Sequence, residues 1–377
     1  MPLPRPAAVL AAGLTGLLLV GPGTAPTATG SAAAARGERV DGWPTATPAA
    51  MGVRPTRLTA LAREAKELDS TCYAVVRKGR LVGDWNWGTG RLAPREVFSV
   101  TKSVASALVG IAVRDGDLEL DDRVSRYVRA WRGTDSAGVT VRHLLANDSG
   151  RFWSLQSDYV TMGQAANRTK YAVGLDQQYP PGSAWAYNNA AIQVLDRVLS
   201  KATGRPTDRF AAKRLFGPLG MSHTRMTRDL SGRSTNTYFG LQTTCLDLAR
   251  FGQLFLKQGL AGGKRILSRG YVGQSVGSPS TEHNAGYGYL WWLNRYGPQR
   301  GALDPVDENG QPVDPREGRL VPGAPASLYA AIGLGGQITM VDRRSRTIVV
   351  RLGSASSEAE EPYGLGNAAR VVTWALR

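Results

Sequence analysis

Val97 to Val113 reads Val-Phe-Ser-Val-Thr-Lys-Ser-Val-Ala-Ser-Ala-Leu-Val-Gly-Ile-Ala-Val, and the fold turns on how this stretch is taken. From Ser103 onward every side chain is apolar or small, with no polar stripe. That predicts a helix buried on most sides, deep in a large core. Ser99 and Lys102 stand at its head. Three residues apart, they share one helical face, and the helix N-terminus offers free backbone N–H groups to a developing anion. Ser-x-x-Lys is a short pattern. Taken alone it also describes a capped helix with a lysine in its first turn.

Working outward, Arg57–Leu68 repeats apolar residues at helical spacing, and Thr71–Arg77 and Arg80–Trp87 are β-rich runs joined by Lys78-Gly79, a hairpin signal. Asp117–Tyr127, Thr140–Ala146, Ala190–Ala202 and Leu246–Gln258 read as helices between Gly-, Ser- and Asn-containing loops. From Tyr287 the character changes. Tyr287–Leu293, Leu328–Ile332, Gln337–Asp342 and Thr347–Leu352 read as strands, and Leu365–Leu376 as a closing helix. Strands at both ends with helices between predict an α+β fold: an antiparallel sheet flanked by N- and C-terminal helices, with an inserted mostly helical domain. Residues 36–97 and 285–377 would build the sheet domain and 98–284 the insertion, with the active site at their junction.

The 377 residues are 42% hydrophobic and 20% charged, which excludes a disordered chain, a collagen-like repeat and a coiled coil. Forty-six basic residues against 30 acidic ones leave a formal charge of +16. The arginines are scattered, without a basic run or a nucleic-acid motif, so the expected partner of this charge is an anionic cell envelope and no nucleic acid. Arg5 precedes an apolar stretch from Ala7 to Val20, shorter than the roughly 20 residues a spanning helix needs, and Ala33-Ala34-Ala35 fits a small-x-small cleavage site. Residues 1–35 therefore read as a signal peptide, and the protein as secreted. Cys72 and Cys245 are the only cysteines. In an oxidising compartment they can pair, or remain two buried thiols.

Two further features bear on chemistry. Tyr187-Asn188-Asn189 lies in a Pro/Gly loop just before the apolar helix near Ala190, a turn that can aim Tyr187 and Asn189 the same way. Gly333-Leu334-Gly335-Gly336 separates two β-rich runs, as a tight hairpin turn or as a strand edge stripped of side chains so that a substrate can approach the backbone. Other chemistries fit poorly. Gly273-Gln274-Ser275-Val276-Gly277 matches the nucleophile elbow Gly-x-Ser-x-Gly but has Ser278-Pro279-Ser280 where a helix should follow. His143, His223 and His283 stand singly, without metal-ligand spacing, and neither a metal nor another cofactor is expected.

Ser99-x-x-Lys102, Tyr187-x-Asn189 and the glycine-rich strand end, in this order, resemble the serine β-lactamase/penicillin-recognising superfamily, and within it the class C-like branch that holds esterases and 6-aminohexanoate-dimer hydrolases. The flanking Val141-Arg142-His143-Leu144-Leu145, Pro218-Leu219-Gly220-Met221 and Asp247-Leu248-Ala249-Arg250-Phe251-Gly252 are similar to that family too. The resemblance implies an acyl-enzyme on Ser99, with Lys102 as base, Tyr187 as proton relay and Asn189 as support. It also implies an oxyanion hole from the backbone of Ser99 and Leu334, beside Gly333 and Gly335. The third motif departs: Ala331-Ile332-Gly333 stands where the family's lactamases and peptidases carry Lys-Thr-Gly, and Lys257-Gln258-Gly259 is the end of a helix. Hydrolysis of small esters or amides is therefore the expected activity. A β-lactamase or D,D-peptidase, and a non-catalytic wall-binding protein on the same scaffold, are the alternatives.

Overall fold

The computed structural model describes residues 39–88, 90–303, 314–354 and 362–376. The leader assigned to residues 1–35 lies outside them. In chain order the elements that build the site region are α1 (Pro55–Glu67), β1 (Ser70–Arg77), β2 (Arg80–Asn86), β3 (Arg95–Glu96), α2 (Val100–Asp115), α3 (Val141–Ala146), α4 (Asn189–Thr203), β4 (Arg225–Met226), β5 (Leu241–Thr243), α5 (Cys245–Leu256), α6 (Arg269–Val276), β6 (Trp292–Leu293), β7 (Leu328–Gly333), β8 (Gln337–Asp342), β9 (Thr347–Gly353) and α7 (Leu365–Arg370). The main sheet has the order β6-β7-β8-β9-β1-β2 and is antiparallel throughout, so its strands come from both ends of the described chain. A small second sheet, β3-β5-β4, stands beside the start of α2. The fold is α+β, as its element order predicts.

Strand β1 shows why the sheet is covered on both sides. Its side chains alternate between faces. Tyr73 and Val75 join a core with Leu58 and Leu61 of α1 and Ala368 and Ala369 of α7. Cys72, Ala74 and Val76 join the larger core that holds α2, α4 and α5. Both faces of the strand are apolar, so no polar alternation marks it. Cys72 and Cys245, one on β1 and one in the first turn of α5, form a disulfide with a Cα–Cα distance of 6.3 Å. Helix α2 is buried from Val100 through Ala112.

Two expected elements take other forms. Asp117–Tyr127 holds only one 3₁₀ turn, Val124–Arg126. The Asp122 carboxylate captures the Glu119 N–H, and the backbones of Leu120, Asp122 and Val124 bond across to residues 139–142 rather than along a helix. Of Tyr287–Leu293, only Trp292 and Leu293 pair as a strand. Leu290 is left-handed (φ 59°) and its N–H bonds the Leu145 carbonyl, which folds the preceding residues back on themselves. The closing helix is α-helical to Arg370 and then widens into a π turn over Val371–Ala375.

Candidate active site

Ser99 is delivered by a strained turn. Phe98, just before it, is left-handed at φ 47°, an uncommon state for a bulky residue. Three contacts hold the turn: the Glu96 carboxylate accepts the Phe98 N–H at 2.9 Å and the Gly240 N–H at 2.9 Å, and the Val97 N–H bonds the Leu241 carbonyl at 3.0 Å. Thr101 completes it, donating to the Phe98 carbonyl and accepting from the Leu241 N–H. The small sheet thus exists largely to fix the entry into α2. Strain over-determined by its surroundings in this way is common where a reactive side chain must be aimed.

One turn later, Lys102 is fully buried. Its ammonium donates to Ser99 Oγ at 2.7 Å and to the Tyr238 carbonyl at 2.9 Å, and lies 4.7 Å from the centre of the Tyr187 ring. Burial disfavours the charged form and brings its pKa down from 10.5 to about 7, against the pull of the Asp158 carboxylate, which raises it. Near neutral pH a large fraction of Lys102 is therefore the free amine. An unperturbed lysine would have only about one molecule in two thousand in that state.

Tyr187 is buried and its ring stacks on Trp292, with centroids 5.5 Å apart. Burial pushes its phenol well above the ordinary value, partly offset by a hydrogen bond with Ser99. The phenol thus stays protonated, which suits it to pass a proton and not to remove one. The Trp153 indole holds the loop by donating to the Tyr187 carbonyl. Trp153, Trp185 and Trp291 are buried packing residues, and Trp292 is the partly exposed one beside Tyr187.

The two asparagines after Tyr187 divide their work. Asn188 caps α4, its Oδ1 accepting the Ala191 N–H at 2.7 Å while its amide donates to the Arg151 and Phe152 carbonyls. Asn189 is the first residue of α4, with its side chain beside Asp158 and Tyr159. Among the described residues no hydrogen bond joins Asn189 to Lys102, whose ammonium bonds Ser99 and Tyr238 instead. What faces Lys102 electrostatically is Asp158, on a π-helical turn over Gln156–Thr161. Its carboxylate accepts the N–H groups of Asn189 (2.9 Å) and Ala190 (2.8 Å) at the α4 N-terminus. Burial still lifts its pKa to about 6. Nothing in the sequence marks Asp158: it is a single acid in a polar stretch, and only tertiary packing brings it here.

The glycine-rich segment meets Ser99 from the opposite side. A Cβ on Gly333 would lie 2.2 Å from the Val97 carbonyl oxygen and 3.2 Å from the Ser99 nitrogen, so the end of β7 runs against the nucleophile turn only because this residue has no side chain. Leu334, the next residue, projects a 65% exposed side chain. Gly335 and Gly336 close the turn at φ 71° and 70°. Fully buried Arg351 donates to both of their carbonyls and to Ser70 Oγ and the Leu68 carbonyl, and Gln337 bridges Leu334 to Gly353. No glycine pattern announces either partner. Lys257, in the alternative Lys-x-Gly, is the C-cap of α5.

The structure sets the remaining candidates apart. Ser275 of the Gly-x-Ser-x-Gly match sits inside α6, fully buried, donating to the Tyr271 carbonyl at 2.8 Å. His143 closes a capping box on α3, and His283 contacts the Gly182 carbonyl. Asp41, His223 and Asp247 bring potential ligand atoms together, but the Arg250 guanidinium already bonds both carboxylates, at 3.0 and 2.8 Å.

A mixed sheet-and-helix scaffold with a serine hydroxyl, a buried lysine of lowered pKa and a protonated tyrosine converging at the head of one buried helix defines a penicillin-recognising type of protein. The comparisons agree. The Beta-lactamase family model matches residues 58–372, and the chain belongs to that family. The D-aminopeptidase of Cereibacter sphaeroides is 28% identical over 174 residues, 41% of this chain and 32% of the relative, so the chain spans about a third of that protein's length. The 6-aminohexanoate-dimer hydrolase of Paenarthrobacter ureafaciens is 24% identical over 321 residues, covering 73% of this chain and 78% of the relative. A solved β-lactamase-like structure from Bacteroides dorei superposes with a TM-score of 0.65 at 21% identity, over 86% of this chain and 99% of that one, a likeness of fold.

Proposed function

We propose that this protein is an exported serine hydrolase that cleaves small, uncharged esters or amides through an acyl-enzyme on Ser99. The observation that carries the reading is the 2.7 Å contact between Ser99 Oγ and a fully buried Lys102 whose pKa lies near 7. Lys102 as free amine takes the Ser99 proton as Oγ attacks the carbonyl carbon. Tyr187 gives its phenol proton to the leaving group and is reprotonated by the proton that Lys102 took from Ser99; departure of that group leaves the ester of Ser99, and water then reverses the sequence to release the acid. The backbone N–H groups of Ser99 and Leu334 would hold the oxyanion, each such donor contributing about 3 kcal/mol in comparable sites. Asn189 keeps Asp158 and the Tyr187 loop in register.

Two features support uncharged substrates. Ala331 replaces the lysine that would hold a carboxylate, and Leu155, Tyr159, Val160 and Leu334 leave exposed apolar surface on the two segments that meet the site. The relatives named above act on a D-amino-acid peptide bond and an aminohexanoate dimer by their names, which keeps amides in the reading. The test exposes purified protein to p-nitrophenyl esters, a linear amide dimer and nitrocefin, with Ser99→Ala as control. Ester or amide turnover that falls by about 10⁴-fold or more in the variant supports the reading. Turnover retained by Ser99→Ala, or nitrocefin as the preferred substrate, overturns it.

A further inference from the structure

Away from Ser99, the described surface carries a trough of ≈ 1390 Å³ lined by eight Lys or Arg side chains and two Asp. Its walls come from residues 126–130, the second half of α4 with the loop after it, and the hairpin around Arg228–Thr235. The charge is not neutralised locally. Arg126 pairs with Asp122 and Arg228 with Asp208, but no ion pair among the described residues involves Arg129, Lys170, Arg197, Lys201, Arg205 or Arg233, all exposed. Of the two acids, Asp196 is buried and bonded to Thr169 and Thr207. Six unpaired cations around one concavity hold a positive potential that a solvated, evenly scattered surface charge does not.

We propose that this trough binds a linear, base-free polyanion of the phosphodiester type. Shape and chemistry both select that class. A concave channel admits a chain, whereas a flat bilayer meets convex faces, and none of the exposed large apolar side chains lines the trough to enter a membrane. Tyr127 is the one aromatic residue in the lining. Its hydroxyl is engaged by Asp122 and its ring is covered by Arg126, so the trough has no free platform on which bases can stack. Four of the six unpaired cations are arginines, whose planar forks suit phosphate oxygens. Arg197 lies about 12 Å along α4 from Asn189, so a polymer held there leaves the candidate active site open.

Binding of end-labelled poly(glycerol phosphate), followed by fluorescence anisotropy at several salt concentrations, tests this. The expected result is an affinity whose logarithm falls with that of the salt concentration at a slope of about −4, six neutralised phosphates' worth of counterions. Arg197→Gln/Lys201→Gln/Arg205→Gln should weaken binding on the order of a hundredfold. A control, Arg319→Gln/Arg343→Gln/Arg344→Gln, removes the same charge from exposed positions elsewhere and should change it less than about twofold. Both variants should keep the parent's melting temperature and ester turnover, which separates this result from any failure of the hydrolase reading. Equal loss in the two variants would show that net charge alone binds the polymer and would overturn the proposal. So would absence of binding at low salt, or tighter binding of a single-stranded oligonucleotide of matched charge.

Discussion

Ser99–Lys102 and Asp158 reach the same site by opposite routes. The first two residues sit within one turn of α2, so helical geometry alone brings Nζ and Oγ to 2.7 Å. Asp158 arrives on a separate π turn, anchored by the N-terminus of α4, and acts on Lys102 through its charge. The proton-accepting pair is local, while what tunes it is assembled at long range. A short motif can therefore place a nucleophile and its base, but the pH at which they work depends on groups with no pattern of their own.

Removing the local half of the pair should have the largest effect. Lys102→Arg keeps a cation but has no usable free base, and turnover should fall by about a thousandfold at pH 8 in a steady-state assay. In the parent, kcat/KM should rise with pH and level off above about 7, as Lys102 gives up its proton; the arginine variant should show no such limb. The same group marks stability. The folded-state pKa of about 7 lies below the ordinary 10.5, so between these values the unfolded chain holds more protons and stability rises with pH. A Lys102→Met variant should lose that slope in denaturant titrations. An unchanged limb in Lys102→Arg would transfer the base role elsewhere.

Gly333→Ala attacks the same nucleophile from the sheet side. Its new Cβ would lie 2.2 Å from the Val97 carbonyl oxygen, a backbone atom that cannot swing aside as a flexible side chain could, so the Phe98–Ser99 turn must shift. We expect about a hundredfold loss of kcat, with a destabilisation of roughly 1–3 kcal/mol from overpacking. Native activity and melting temperature in this variant would mean that β7 does not position Ser99.

The smallest effect should come from the long-range half. Asp158→Asn removes the charge that raises the Lys102 pKa, so the rising limb of kcat/KM should move to lower pH, with plateau rates within about tenfold of the parent. A merely structural role would lower rates without moving the limb. If the limb stays in place, Asp158 acts only as the acceptor for Asn189 and Ala190.

Much of the fold was readable because its signals are local. The β1–β2 hairpin, the glycine turn after β7 and the unbroken apolar run of α2 each depend on residues adjacent in the chain. Asp117–Tyr127 misleads by the same logic: its helical spacing is real, but side-chain capture by Asp122 and bonding to residues 139–142 win over it. Ser99, Lys102, Tyr187 and Gly333 carry enough local pattern to be named in advance. The carbonyl of Tyr238 on Lys102, Glu96 under the Phe98 turn and Arg351 beneath Gly335 and Gly336 do not, since each works through a backbone contact that any neighbouring residue type can receive. The cysteines divide in the same way. The chain order allows Cys72 and Cys245 to pair, but only the packing of α5 across β1 brings their Cα atoms to 6.3 Å, because a covalent bond needs a distance that spacing along the chain does not specify.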